Sequence, residues 1–586
     1  MRKIVLFVVC LLLSVTASVA RVIPREQAAA TAATFFRTAS PSAAGVQPAS
    51  LHLVKETPSM YVFEKDGGGY VIASADDVAA PVLAYAPNGR FPLTDMPVNM
   101  RSVIDWYERV IAYARAQGWE SQSPAGKMMA GAGSNTEVLL KTARWGQGSP
   151  FNDLSPVVGG YKCPSGCVAT AMAIIMKYYE YPEHGTGELP GYNFGWDDML
   201  RQYNYHIDGY ALGHTYDWAN MPDNPKNCTE YQAAQIAQLL YDLAVMSQMD
   251  FSPEGSGAAS ICPLYLQQYF SYDKSMRYED RSFYTTEKWE QLIRDELDAG
   301  RPVFHCGVDG EGGGHAFVID GYKSRYFSIN YGWSEGSAWY TLSPVEGHEK
   351  ELTEFTNGQC MVVRIFPDAG GETCVNVWVP DSYLPFRWNF EEKTIWGGWF
   401  WLWDISFVSS VQDFAYGLFD RNGKFKKTVS ETVSINPSED FLPEVTITLP
   451  NDIADGDQIL LARREGSNWT PLLQSRQSYI CFDRSRKLSE MVSVGHSFGP
   501  PDNYSSNGDP VVFFDMYKDI WWSIETENGR RMVDSSLEDL DMAVELSYQM
   551  LDSETGMVRF VCKLHEGTYW MTLRNFGETL RFRFKI

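Results

Sequence analysis

Hydrophobic and polar positions change their period several times along the chain, and the changes divide it into segments. Residues 23–37 carry Ala-rich helical spacing that ends on Phe35-Phe36. Short alternating runs follow at Tyr61-Val62-Phe63 and Tyr70-Val71-Ile72, and Gly67-Gly68-Gly69 between them reads as a hairpin turn. Met100 to Ala116 predicts an amphipathic helix, with Val103, Tyr107, Val110 and Ala114 on one face. Residues 121–136 are small, polar and Gly-rich, which is the composition of a linker.

Beyond the linker the pattern turns helical again. Val168, Met172, Ile175, Met176 and Tyr179 recur at helical spacing, so Cys167 to Tyr181 predicts a helix, with Pro182 just past its end. Tyr231–Met246 and Thr286–Ala299 predict two more, the second stopping at Gly300. Strands then follow at Pro302–Val308, His315–Asp320 and Phe327–Tyr331. Helices first and antiparallel strands later make an α+β unit.

From about residue 370, strand-like runs alternate with Gly, Pro, Asn and Asp, for example Val375–Val379, Phe407–Ser409, Val445–Leu449, Ile459–Ala462, Met557–Cys562 and Leu580–Ile586. These predict one or two β-sandwich modules with a soft boundary near 490. Within them, Trp396 to Trp403 reads as a strand buried on both faces in preference to a sugar-stacking platform. The expected organisation is therefore a leader over 1–20, an N-terminal unit with linker over 21–135, an α+β unit over 136–367, and β-rich modules over 368–490 and 491–586.

Composition narrows the function. The chain has 586 residues and a formal net charge of −24. That charge repels phosphate backbones and argues against a nucleic-acid partner. At the N-terminus, Arg2 and Lys3 precede an apolar run from Ile4 to Val15, and Ser18-Val19-Ala20 offers small residues where a signal peptidase cuts. The run is too short for a membrane span, and no later stretch approaches about 18 apolar residues. An exported, secreted or cell-surface protein without a transmembrane segment in its mature chain is expected. Cys10 could suggest lipidation, but Val9 before it is not small and the apolar run continues past it. The ten cysteines form no dense framework, and Cys163 and Cys167 lack the second pair or histidine cluster of a zinc site. Neither a metal nor another cofactor is expected.

Three clusters carry candidate chemistry: Trp145-Gly-Gln147, Ser165-Gly-Cys-Val-Ala-Thr-Ala-Met-Ala173, and Gly312-Gly-Gly-His-Ala-Phe-Val-Ile-Asp-Gly321 with Asn330-Tyr-Gly-Trp333. Cys167 stands at the start of a predicted helix, where unpaired N–H groups and partial positive charge favour thiolate, the nucleophilic form. A buried helix-start cysteine is the plainer reading. His315 follows three glycines and opens an apolar strand. A core histidine rarely needs such neighbours, whereas the edge of a cleft does, because a substrate main chain must pass. His305, in the middle of a strand without glycine neighbours, reads as packing. Gln147, 20 residues before Cys167, could supply a side-chain oxyanion donor beside the Cys167 N–H.

Cys167-Val-Ala-Thr-Ala-Met-Ala173 with Ile175-Met-Lys-Tyr-Tyr-Glu-Tyr-Pro182 resembles the nucleophile helix of the streptopain family of cysteine peptidases. Gly313-Gly-His-Ala-Phe-Val-Ile-Asp-Gly321 and Asn330-Tyr-Gly-Trp333 resemble the family's histidine and asparagine segments. The 148 residues separating His315 from Cys167 and the order Cys, His, Asn fit papain-like spacing. The resemblance spans roughly 140–365, and the layout resembles Bacteroides-type members with C-terminal β modules. It implies a papain-like fold, an inhibitory N-terminal pro-domain, and endopeptidase activity on protein or peptide substrates. It also implies the roles: Cys167 as nucleophile, His315 as general acid and base, Gln147 as oxyanion donor, Asn330 as orienter of His315, and Trp333 as its aromatic shield. Tyr331 and Ile174 depart from the family, which often has tryptophan and glutamine there; Tyr331 leaves the packing around His315 open. Ser252-Pro-Glu-Gly-Ser-Gly257 resembles a loop bordering the family's cleft. Two other readings remain: a Cys-His acyl transferase of transglutaminase type, and a non-enzymatic surface-binding protein built on the β modules.

Overall fold

In the computed structural model, the described residues of the N-terminal two thirds are 22–39, 45–94, 96, 98–119, 137–197, 199–308, 314–333, 338–345, 358–371 and 374. Further along they are 377–379, 387–389, 392–397, 400–404, 411–437, 441–474, 479–482, 488, 492–498, 510–517, 520–535, 545–552, 557–564, 567–574 and 579–585. The expected leader, the linker over 121–136, Gly312, Gly313 and the strand at Phe407–Ser409 lie outside them. The chain divides into two compact units, Met1–Cys374 and Val375–Ile586.

The first unit is organised by one 11-stranded sheet. Its strands are β1 (Leu51–Glu56), β2 (Met60–Lys65), β3 (Tyr70–Ser74), β4 (Val82–Ala86), β5 (Glu137–Leu139), β6 (Arg277–Asp280), β7 (Val303–Val308), β8 (Gly314–Lys323), β9 (Tyr326–Asn330), β10 (Ala338–Thr341) and β11 (Cys360–Val363). The order is β1-β2-β3-β4-β10-β9-β8-β7-β11-β6, with β5 pairing β8 beyond the end of β7. Among the described residues, five longer helices accompany it: α1 (Arg25–Ala39), α2 (Val98–Ala116), α3 (Cys167–Tyr179), α4 (Glu230–Met246) and α5 (Thr286–Asp298).

The N-terminal segment and the α+β segment, which the linker composition separates, share this sheet. β4 meets β10 through Tyr85 opposite Trp339 and Ala84 opposite Tyr340. The core is shared as well. On one face Val62, Ile72, Leu83, Tyr107 and Ile111 pack with Trp289, Ile319, Phe327, Tyr340 and Met361. On the other, Phe35 and Phe36 of α1 pack with Tyr61, Phe63, Tyr85, Tyr326 and Trp339. Tyr107 of α2 donates its hydroxyl to Leu83 O (3.1 Å) and Thr341 O (2.7 Å), tying both segments to one helix. A fully buried tyrosine needs such acceptors.

α3 is apolar nearly all round, with Val168 through Lys177 buried, as a helix in the middle of a core must be. It ends two residues before the predicted end because Glu180 takes a left-handed conformation (φ 48°). α4 opens on a capping box, in which Thr229 and Gln232 exchange side-chain and backbone hydrogen bonds.

Among its described residues, the second unit is built of small sheets whose strands pair antiparallel, except that Val377–Val379 runs parallel to Leu473–Gln474. One core gathers Ile395, Phe414, Tyr416, Leu418, Ile447, Ile459 and Ile480; another gathers Trp522, Ile524, Cys562, Met571 and Leu573. Around Trp396 the backbone forms short strands, Thr394–Gly397, Phe400–Trp401 and Trp403–Asp404, and the Arg387 guanidinium lies 5.9 Å from the Trp396 ring.

Candidate active site

Gly166, the residue before α3, sets the position of Cys167. Its φ of 88° and ψ of 143° belong to a region that side chains rarely enter. A Cβ there would stand 2.6 Å from Met249 Sδ and 3.1 Å from Ser256 O. The backbone thus passes close to the Ser252–Gly257 loop, and Ser256 Oγ donates to Pro164 O at 2.7 Å. Ser165 N–H donates to Gln147 O (3.0 Å), which holds the Trp145–Gln147 segment against the turn that leads into Cys167. Trp145 is fully buried and donates to Pro222 O (3.0 Å), and Gln147 is buried beside it.

His315 is the second residue of β8 and Ala316 the third. The Ala316 amide donates to Cys167 Sγ at 3.4 Å, so the histidine strand begins against the cysteine helix. Burial pushes the Cys167 thiol above its ordinary range, while the amides of Ala316, Val168 and Cys167 itself pull the other way. The His315 side chain lines a cavity of about 70 Å³ with Ser102, Val103 and Trp106 of α2, His305 and Gln359. Residues of a helix in the N-terminal segment therefore line the same cavity as the histidine.

Asn330 ends β9 and is buried. Its Nδ2 donates to Thr142 Oγ1 (3.0 Å) and Ala143 O (2.9 Å), and its Oδ1 accepts Gly332 N–H (3.2 Å). Thr142 in turn donates to Asp320 Oδ2 at 2.6 Å. Thr142 and Asp320 escaped sequence reasoning, although Asp320 lies inside the histidine motif. Gly332 packs on α3, where a Cβ would meet Thr170 Cγ2 at 2.8 Å. Trp333, the next residue, is 37% exposed. The Tyr331 ring sits edge-on between Phe317 (5.8 Å) and Tyr340 (5.5 Å), which describes the packing its departure from tryptophan left open.

His305 is enclosed by Trp289 and Phe317, with ring centroids 5.7 and 4.9 Å away. Burial, with a smaller push from Arg281, lowers its pKa to about 3. It is a neutral packing group at ordinary pH.

The arrangement offers a thiol at a helix start, a histidine on the adjoining strand, a buried amide side chain next to the nucleophile turn, and a fixed asparagine. Such a set is suited to nucleophilic acyl chemistry.

Residues 145–340 match the model of the Peptidase C10 family, and residues 20–111 match that of the Spi protease inhibitor. The chain is 34% identical over 346 residues to the thiol protease/hemagglutinin PrtT of Porphyromonas gingivalis, covering 55% of this chain and 39% of that protein. It is 30% identical over 296 residues to streptopain of Streptococcus pyogenes, covering 47% of this chain and 71% of streptopain. Among solved structures, a Prevotella intermedia prointerpain A fragment with a cysteine-to-alanine substitution is 32% identical. It covers 54% of this chain and 98% of that one, at a TM-score of 0.46.

Proposed function

Because the chain belongs to the streptopain-like Peptidase C10 family of cysteine peptidases, we propose that it is the zymogen of an exported cysteine endopeptidase acting on proteins, with Cys167 as nucleophile. The observation that carries this reading is the Ala316 amide on Cys167 Sγ, since it sets the histidine strand against the helix-start thiol across 149 residues of sequence.

Proton transfer between Cys167 and His315 makes a thiolate–imidazolium pair. The thiolate attacks a peptide carbonyl, and the Cys167 N–H and the Gln147 side-chain amide receive the oxyanion. His315 protonates the leaving amine, and water then cleaves the thioester. Asn330 commits both N–H bonds of its amide to Thr142 and Ala143, which leaves Oδ1 as the atom to accept an imidazole N–H; Trp333 shields that contact.

The N-terminal segment acts as the inhibitor. Its Spi-inhibitor match and the position of Trp106 over the His315 cavity support this role. Cleavage near the end of the 121–136 linker would release it, and N-terminal sequencing of the active form should begin near residues 130–140. Export rests on the apolar run Ile4–Val15; no helix among the described residues is long and apolar enough to cross a membrane.

A thiol alkylator should abolish activity in step with modification of Cys167, mapped by peptide mass, while a chelator leaves activity intact. Activity that survives full alkylation of Cys167, or falls with the chelator, would overturn the reading.

A further inference from the structure

Behind the start of α3 lies a second pair of thiols that the proposed chemistry does not use. Cys306 on β7 and Cys360 on β11 are register partners on antiparallel strands. On the other side of β7, Cys306 is the partner of Ala316 on β8. Register partners project to the same face of a sheet, so Ala316, Cys306 and Cys360 form one row. The Ala316 amide at the head of that row is the group that touches Cys167 Sγ.

Both cysteines are free thiols, and both are buried, at 7% and 4% exposure. Cysteines often serve merely as small apolar residues, but this pair has more polar contacts than packing requires. The two side chains are hydrogen-bonded to each other, and the Cys360 sulfur is also bonded by Ser260 and Tyr278. Directly opposed residues of antiparallel strands have Cα atoms about 4.5–5.5 Å apart, inside the roughly 4.4–6.8 Å span of a disulfide. The register alone therefore brings the pair within the Cα span that a disulfide bridges.

We propose that Cys306 and Cys360 are a redox modification site, a dithiol that exchanges with a small external disulfide of the glutathione class to form a cross-strand disulfide behind the nucleophile. The hydrogen bond from Cys306, followed by those from Ser260 and Tyr278, holds the Cys360 thiol below its ordinary range against the opposing effect of burial, so Cys360 reacts first. Its thiolate attacks one sulfur of the external disulfide, forming a mixed disulfide and expelling one thiolate. Cys306 then attacks the Cys360 sulfur, its proton passing to the second departing thiol. Two protein thiols and one external disulfide become one protein disulfide and two external thiols.

The test uses the full chain carrying Cys167→Ala, which removes the competing thiol and any self-digestion. It is equilibrated with reduced and oxidised glutathione, both as native protein and during refolding, then alkylated and peptide-mapped without reduction. The expected result is a peptide pair joined through Cys306 and Cys360, lighter by two hydrogens than the two thiol peptides and restored by dithiothreitol. Adding Cys306→Ser should replace the cross-link with a glutathione adduct on Cys360, because nothing resolves the mixed disulfide. The cross-link in the parent chain is sufficient by itself, whether or not the serine variant folds well. Alkylation of both cysteines in every buffer, or pairing of either with a different cysteine such as Cys262, would overturn the proposal.

Discussion

Gly166→Ala puts the geometry of the nucleophile turn to the test. The residue holds φ 88° and ψ 143°, a conformation that costs a side-chain-bearing residue about 1–3 kcal/mol. The new methyl would also overlap Met249 Sδ and Cε, both 2.6 Å away, and press on Ser256 O at 3.1 Å. Overpacking of this kind costs a further ~1–3 kcal/mol. The expected loss is therefore about 2–6 kcal/mol, read as a lower urea midpoint by tryptophan fluorescence in a Cys167→Ala background. The two contributions can be separated. Met249 has a flexible side chain, and Met249→Ala removes the overlap but leaves the backbone strain. A double-mutant cycle should show favourable coupling of about 1 kcal/mol or more between Gly166→Ala and Met249→Ala, with a residual loss that the second substitution does not recover. In the active chain, a shift of Cys167 by even a fraction of its contact distance should lower kcat/KM by about 100-fold. A Gly166→Ala protein within about 0.5 kcal/mol of its parent and with unchanged kcat/KM would refute the reasoning.

Three further outcomes follow from the same structure. Gln147→Ala should lower kcat about 100-fold or more with little change in KM, checked by steady-state peptide hydrolysis, because an oxyanion donor acts on the transition state. For Asp273, burial pushes the carboxyl up, but hydrogen bonds from Ser275 Oγ and the amides of Ala369, Ser275 and Gly371 outweigh it and bring the pKa to about 2. A depressed carboxyl stabilises the fold above its unfolded pKa, so about 2 kcal/mol should be lost as pH falls from 4 to 2, and Asp273→Asn should flatten that part of a urea-midpoint-versus-pH curve. His305 shifts in the same direction for a different reason, since burial of a group that is neutral in the fold brings its folded pKa to about 3, below the unfolded value. The unfolded chain takes up the proton first, so stability is complete above pH 6.5 and falls by at most about 1.4 kcal/mol per pH unit on acidification toward 3, a slope that His305→Leu should remove in acid-denaturation curves.

Local signals carried the parts of the fold that depend on neighbours in sequence. The α3 helix was legible because Val168, Met172, Ile175 and Met176 repeat at its period and Pro182 discourages continuation. The histidine strand was legible in part, because the apolar run Ala316 to Ile319 marks its centre, while β8 continues to Lys323, past the predicted end at Asp320. The joining of β4 to β10 was not legible, since Tyr85 and Trp339 meet across some 250 residues and nothing in either run names the other. The composition of 121–136 suggested a separate unit, whereas the cores of the two segments are continuous. The support of Asn330 by Thr142 was hidden for the same reason: a lone threonine before the Trp145 cluster has no local pattern, and only the pairing of β5 with β8 brings it to Asp320 and Asn330. That Trp106 and His315 line one cavity likewise depends on how α2 packs, which its amphipathic spacing does not specify.

The most direct measurement of the central claim is digestion of a casein-type protein substrate by the wild-type chain beside Cys167→Ala. The account predicts that wild type shortens itself and degrades the substrate, while Cys167→Ala stays full length and leaves the substrate intact. Substrate degradation by Cys167→Ala at a rate near that of wild type would contradict it.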